Sequence, residues 1–402
     1  MKKLVSILIV LTMCFVLFAC TAKDNSTTNT TTSSGSETSS TTNSGDESTT
    51  SAITASLAGF IEDDVDHHAR KTYEIVYISE GFQFLQQSWF AAMQAYEDRL
   101  NIKMTSVSGE GSQDTYLTNL ELLATRGYDG ALVDCPNQIQ VRATELLEES
   151  GIAYIAFVQT ILDDNNRTVC PNVILDQYIV GWNTMDWLIK NYKSYMGEID
   201  TSKLGAIDIT VSTSVDLSAR SDGPRDLFEE TFPDGTYFQL DAVGAGGAGT
   251  NVITPDVAYT LVTATVSANP QIEYWFVTGC VEFYGVGSAR ALEDLGRTTE
   301  NALVCVVGHG VNVVDWESMT PDTPTVNVAC LMIPDLLYAA PAVAGIVALI
   351  DGRATPENLW LDETPKNYKY GNDYGVWEVE NKVVTRQDYA EYIASIEALV
   401  LS

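Results

Sequence analysis

Polar and aromatic residues recur just after short apolar runs in this chain, at positions that could hold a small molecule. Phe82, Gln83 and Trp89 follow TYEIVYIS, and Phe157 and Gln159 close the run AYIAFVQ. Asp176 and Gln177 follow NVIL, and Arg220 sits in SARSDGPRDLF. Glu282 and Phe283 follow EYWFVTGCV, and His309 and Asn312 follow ALVCVVG. Amides and carboxylates bind hydroxyl groups with defined geometry, and a guanidinium orients oxygen acceptors. Aromatic faces stack on the apolar face of a sugar ring or on a base. Each residue alone fits packing or an ordinary surface; the recurrence at strand ends is the argument. The stretch from Val281 to Asp315 carries two such loops on either side of one helix and one strand. In open α/β sheets ligands sit beyond the carboxyl ends of strands, so this stretch is expected to form half of a ligand cleft.

Catalytic and cofactor chemistry finds less support. Gly244, Gly246 and Gly249 match the dinucleotide fingerprint GxGxxG after a strand and before a helix. However, Thr250, Asn251 and Pro255 set the helix start several residues beyond the last glycine, and no acidic residue lies between Asp256 and Glu273. A flexible glycine-rich loop is the better reading. No Walker A, GxSxG or HExxH sequence occurs. His309 offers a single donor to a ligand, and general-base work would need a partner that the sequence does not supply. Asp63, Asp64, Asp66, His67 and His68 form an acidic, histidine-bearing run, but adjacent histidines lack the i, i+4 spacing that aims two rings at one ion. No enzyme activity, metal or cofactor is therefore expected.

The elements that must position these residues alternate. Strand TYEIVYIS leads to a helix with Phe90, Met93, Tyr96 and Leu100 at helical spacing, which Ser88 is placed to cap. Strands IKMTSV, GALVD, AYIAF and NVIL then alternate with helices TYLTNLELLATR and QVRATELLEES. A second series runs from helix YIVGWNTMDWLIKNY through strands LGAIDI, TYFQLDAV, EYWFVTG, ALVCVVG and VNVACLMI, with helices between most of them. Short apolar strands alternating with helices predict α/β architecture with parallel sheets covered on both faces, in two Rossmann-like lobes. The apolar helix LLYAAPAVAGIVALI is shorter than a membrane span and holds Pro341, so it predicts a buried core helix. Strand KVVT and helix RQDYAEYIASIEALVL end the chain.

The 402 residues carry 54 acidic against 22 basic side chains, a formal charge of −32, which argues against nucleic-acid binding. Lys2 and Lys3 precede an apolar run to Ala19 and then Cys20, the layout of a secretory signal over residues 1–20. Residues 21–57 are nearly all Ser, Thr, Asn, Gly, Asp and Glu, too polar to bury a core, and predict a flexible tether. Five cysteines lie beyond Cys20, an odd number without paired spacing, so no disulfide framework or zinc site is expected. Cys135, Cys280 and Cys305 read as small buried hydrophobes.

Leu-Phe-Ala-Cys resembles the lipobox of bacterial lipoproteins, which implies acyl chains on Cys20 and a membrane anchor outside the cytoplasm. From residue 72 onward the chain resembles the type I periplasmic solute-binding proteins of ABC sugar transporters, within them the arabinose-binding group. QSWFAAMQAYED is similar to the first helix, whose aromatic stacks on the sugar, and points to Trp89. The resemblance also implies ligand contacts at Phe82, Gln83, Asp176, Gln177, Arg220, His309 and Asn312. Val158 and Gln159 stand where the family has paired acidic ligands, and Cys280, Val281 and Glu282 where it has an asparagine or aspartate. A sugar other than arabinose, or a nucleoside, is the implied ligand. Implied lobes are residues 72–176 with 332–359 and residues 177–331 with 360–402, joined by three crossings. The implied partner is an ABC permease, with a sensor kinase or chemoreceptor as the competing partner, and a monomer is expected.

Overall fold

The structure, a computed structural model, describes residues 65 to 401 except 82, 83, 246 to 251, 309, 321, 366, 367, 369 and 372; for 84, 311 to 314 and 399 to 401 it describes backbone only. The chain begins with β1 (Tyr73–Ser79), α1 (Phe84–Gln94), β2 (Ile102–Ser108), α2 (Gln113–Glu121), α3 (Leu123–Arg126), β3 (Gly130–Asp134), α4 (Gln140–Ser150), β4 (Ala153–Val158) and β5 (Asn172–Ile174). It continues with α5 (Gln177–Met196), β6 (Leu204–Thr210), α6 (Val215–Ala219), α7 (Asp222–Thr231), β7 (Thr236–Asp241), α8 (Ala242–Ala245), α9 (Pro255–Ala268) and β8 (Tyr274–Gly279). The last elements are α10 (Glu282–Asp294), β9 (Ala302–Gly308), α11 (Val311–Ser318), β10 (Asn327–Met332), α12 (Asp335–Ile350), β11 (Val376–Glu378), β12 (Lys382–Thr385) and α13 (Tyr389–Leu401).

Two six-stranded sheets result, in the orders β11-β5-β4-β3-β1-β2 and β12-β10-β9-β8-β6-β7. All pairs are parallel except β10 with β12. β3, β6, β9 and β10 are buried at every residue, as parallel strands with helices on both faces must be. The expected two-lobed α/β architecture is what the chain adopts.

α12 is the core helix of the first lobe, buried from Leu337 through Val347 with Pro341 inside it. It packs on α1, β3 and β4. No described helix is long and apolar enough to cross a membrane. The chain passes between sheets three times: from β5 into α5, from β10 into α12, and from β11 into β12. At the last passage the Val379 amide donates to the Ile174 carbonyl at 2.8 Å, and Asn183 bonds Asn381 at 3.0 Å.

Several expectations change. Trp360 and β11 belong with the first lobe, not the second: β11 pairs in parallel with β5, and Trp360 and Trp377 sit in the first-lobe core. The two rings are buried with centroids 6.4 Å apart. Ser88 does not cap a helix. α1 starts at Phe84, and the Ser88 hydroxyl donates instead to the Asp335 carboxylate, tying α1 to α12. Residues after Gly310 form α11 rather than an extended loop.

Candidate ligand cleft

The carboxyl ends of the first-lobe strands converge on a cavity of about 230 Å³. It is lined by Glu80 and Gly81 after β1, Gln86 of α1, Gly111 after β2, Asp134 and Pro136 at the end of β3, and Gln159 after β4. Asp134 pairs in register with Ser79, so it points to the same face as Tyr77 two residues back. Burial pushes its carboxyl up to about 7, with repulsion from Asp216 and Glu80 added, while Tyr77 and Gln86 oppose the rise. Tyr77 is fully buried, with its hydroxyl beside Asp134 and Ser79.

Gln159 reaches the cavity through a strained turn. Val158 adopts φ +68°, and the Gln159 amide closes back on the Phe157 carbonyl at 2.8 Å. A β-branched residue in that region costs about 1–3 kcal/mol, and such strain clusters where a chain must aim a functional group.

The second lobe contributes Arg220 and Asp216. Asp216 repels Asp134 of the first lobe, and Arg220 and Asp216 both act on Tyr338 of α12, so these charges lie within electrostatic reach of the first lobe. Arg220 is held from two sides: its Nε donates to Gln177 Oε1 at 2.6 Å and its Nη1 to the Cys280 carbonyl at 2.8 Å. Local sequence makes this possible. A Cβ on Gly181 of α5 would lie 1.8 Å from the Arg220 carbonyl oxygen, so only glycine lets the α6–α7 corner approach α5 this closely. Asp176 caps α5 by accepting from the Ile179 amide at 3.1 Å.

Glu282 opens α10 and is 4% exposed. Its Oε2 accepts from the Gly310 amide at 2.9 Å, joining the loop after β8 to the loop after β9. A carboxylate at a helix N-terminus is favoured by the helix dipole. The role visible for Glu282 is therefore to fix two strand-end loops together. Phe283 is half-buried on the same turn.

Comparison with known proteins adds the fold. No family model matches the sequence, and no curated protein matches it. Solved structures do. A solute-binding protein of an ABC transporter from Actinobacillus succinogenes, with bound D-allose, has a TM-score of 0.60 at 16% identity, covering 80% of this chain and 100% of that one. A solute-binding protein from Bacillus halodurans with bound myo-inositol has a TM-score of 0.58 at 14% identity, covering 81% and 98%. A glucose-galactose binding protein from Geobacillus stearothermophilus has a TM-score of 0.57 at 14% identity, covering 80% and 99%. The chain has the fold of type I periplasmic binding proteins.

Within that fold the sequence-derived candidates separate. Gln159 lines the cavity, and Gln177 and Arg220 are joined at the facing lobe. Asp176 is exposed and occupied in capping. Trp89 and Phe157, expected to offer stacking faces, are buried at 5% and 0%. They pack edge-on to each other with centroids 5.7 Å apart, and each meets Tyr338 at 5.9 and 5.7 Å. Phe157 shares a strand face with Ile155, which makes it a core position. Phe82, Gln83 and His309 lie outside the described residues, as does the side chain of Asn312. Gly246 and Gly249 of the glycine motif also lie outside them. Cys135, Cys280 and Cys305 are buried, and burial pushes the Cys135 thiol up to about 12. No cluster of three or more metal-ligating side chains exists among the described residues.

Asp134, Glu80, Gln86 and Asp216 escaped the sequence reading as site residues. One signal was present: Asp134 is the single charge closing an otherwise apolar strand, GALVD.

Proposed function

We propose that this protein is a solute-binding protein that captures a small polyhydroxylated ligand, a sugar in the simplest case, and delivers it to the membrane subunits of an ABC permease. One observation carries the reading. A cavity at the strand ends of one lobe is lined by two carboxyl and two amide side chains, and a guanidinium positioned by Gln177 on the other lobe is within electrostatic reach of Tyr338 of the first. Such groups match the donors and acceptors of sugar hydroxyls. The bound D-allose and myo-inositol of the similar structures support the same class of ligand. The lobes close by hinge bending at the three crossings, and closure presents a new surface to the permease. The role is binding, with no catalytic step. The signal-like start and Cys20 support an extracytoplasmic protein held to the membrane by acyl chains; those residues precede the described structure.

The test is thermal melting of the folded domain against a panel of sugars, polyols and nucleosides. A ligand at a hundred times its dissociation constant stabilises by about 2.7 kcal/mol, which a melting curve resolves. A shift for a sugar or polyol supports the reading. A flat panel removes it.

A further inference from the structure

We propose that Gln140 is a positioning residue of this cleft: it fixes Gln159 at the cavity wall without touching the ligand itself. The inference rests on the solute-binding reading and deepens it, because it says how the first lobe holds a binding amide in place. Gln140 opens α4 and is 7% exposed, although glutamine is ordinarily a surface residue. Its amide reaches two neighbouring loops. Nε2 donates to Asn137 Oδ1 at 2.8 Å and to the Thr160 carbonyl at 2.8 Å, and Oε1 accepts from the Leu162 amide at 3.1 Å. Both Nε2 hydrogens are then in use, so the group has no donor left for a guest.

These bonds join two walls of the cavity. Asn137 directly follows Pro136, and Thr160 directly follows Gln159; Pro136 and Gln159 both line the cavity. One buried amide thus ties the loop after β3 to the loop after β4, one residue behind each wall position. The tie matters most at Gln159. The chain leaves β4 through Val158 at φ +68°, in a turn closed by the Gln159 amide on the Phe157 carbonyl. A β-branched residue keeps that conformation only where the surrounding structure over-determines it.

Upstream the sheet supplies the restraint, since Phe157 and Val158 pair with Val173 and Ile174 of β5. Downstream Gln140 supplies it at Thr160 and Leu162, and the Thr160 hydroxyl shares a bond of 2.9 Å with the Tyr368 hydroxyl. Without the Gln140 amide, the Thr160 carbonyl and the Leu162 amide would lose this partner. Part-buried groups left unpaired favour a loop that turns out to water, and Gln159 would move with it.

The experiment has two arms on Gln140→Met, which keeps an unbranched side chain and removes its amide. The first arm is hydrogen–deuterium exchange of the ligand-free protein, read by mass spectrometry. Peptides over residues 158 to 163 should exchange about tenfold faster or more in the variant, while those over β1 and β3 stay as in wild type. The second arm is calorimetric titration with D-allose, myo-inositol and every further compound that shifts the melting curve, well below each variant's melting temperature. Gln140→Met should lose about tenfold or more in affinity for a compound that wild type binds. Adding Gln140→Met to Gln159→Ala should cost no more than about threefold further, because no amide remains to be placed; a general loss of stability would not produce that non-additivity. If Gln140→Met does not fold, the same readings apply to Gln140→Glu, which keeps an acceptor for Leu162 and loses both donors. Unchanged exchange at residues 158 to 163, an affinity equal to wild type, or losses at Gln140 and Gln159 that multiply overturns the inference and leaves the solute-binding reading in place. Binding of neither D-allose nor myo-inositol, together with a flat melting panel, overturns both.

Discussion

Asp134→Asn should make the ligand-free protein more stable, by an amount that grows with pH. In the folded chain the Asp134 carboxyl is pushed up to about 7, from an ordinary value of 3.8, chiefly by burial. A carboxyl raised on folding adds stability below its unfolded value, and that stability is lost as pH climbs through the folded value. The loss begins near pH 4 and is complete just above pH 7. A gap of about three pH units at 1.36 kcal/mol each sets a ceiling of about 4 kcal/mol at pH 8. Asparagine keeps the shape and cannot ionise, so it escapes this cost. The assay is urea unfolding of wild type and variant, followed by tryptophan fluorescence, from pH 4.5 to 8.5. The variant's advantage should be small at pH 4.5, widen through pH 6, and level off above pH 7. Asp208, buried against Thr278 and pushed up to about 6, adds its own slope, but equally to both proteins, so the difference isolates Asp134. An advantage that does not change with pH, or a variant less stable at pH 8, would refute the reasoning, because the carboxyl would then be ionised at little cost.

Further outcomes follow from the packing around the cleft. Arg220→Ala should weaken ligand binding by about 10- to 100-fold, because bonds to a charged group contribute about 1.5–3 kcal/mol; Arg220→Lys should recover little, since one ammonium cannot span Gln177 and the Cys280 carbonyl as the planar fork does. Titration calorimetry of both variants checks this. Gly181→Ala should destabilise by about 3 kcal/mol or more despite better helix propensity, since its Cβ would overlap the Arg220 carbonyl oxygen at 1.8 Å; a melting temperature equal to wild type would contradict the close approach of α5 and the α6–α7 corner. Trp89→Ala should cost about 3–5 kcal/mol of stability by emptying the cluster with Phe157 and Tyr338, and chemical denaturation at neutral pH reads that loss directly.

Much of the fold was legible because its strands are short, apolar and bounded. GALVD and ALVCVVG are buried at every position, and no other element type suits five to seven such residues between helices. β11 was not legible. Val376–Glu378 is three residues long, sits in a polar-aromatic stretch, and becomes a strand only because the edge of β5 is there to pair with. The same logic divides the site. Strand-end position selected Trp89, Phe157, Gln159 and Arg220 together, and it would have selected Asp134 equally. What separates them is what each meets across the sheet or across the lobes. Trp89 and Phe157 meet each other and Tyr338, so their surface is spent on the core. Asp134 meets Tyr77, Gln86 and a cavity, and is opposed by an aspartate 82 positions further along the chain. A linear pattern carries the first kind of information only through alternation: Ile155 and Phe157 on one face mark a core pair. It carries the second kind not at all, because the repulsion between Asp134 and Asp216 exists only once two lobes have folded and faced each other. The chemistry of the cleft is thus in part a property of pairs formed between lobes, and the Asp134–Asp216 repulsion is one of them.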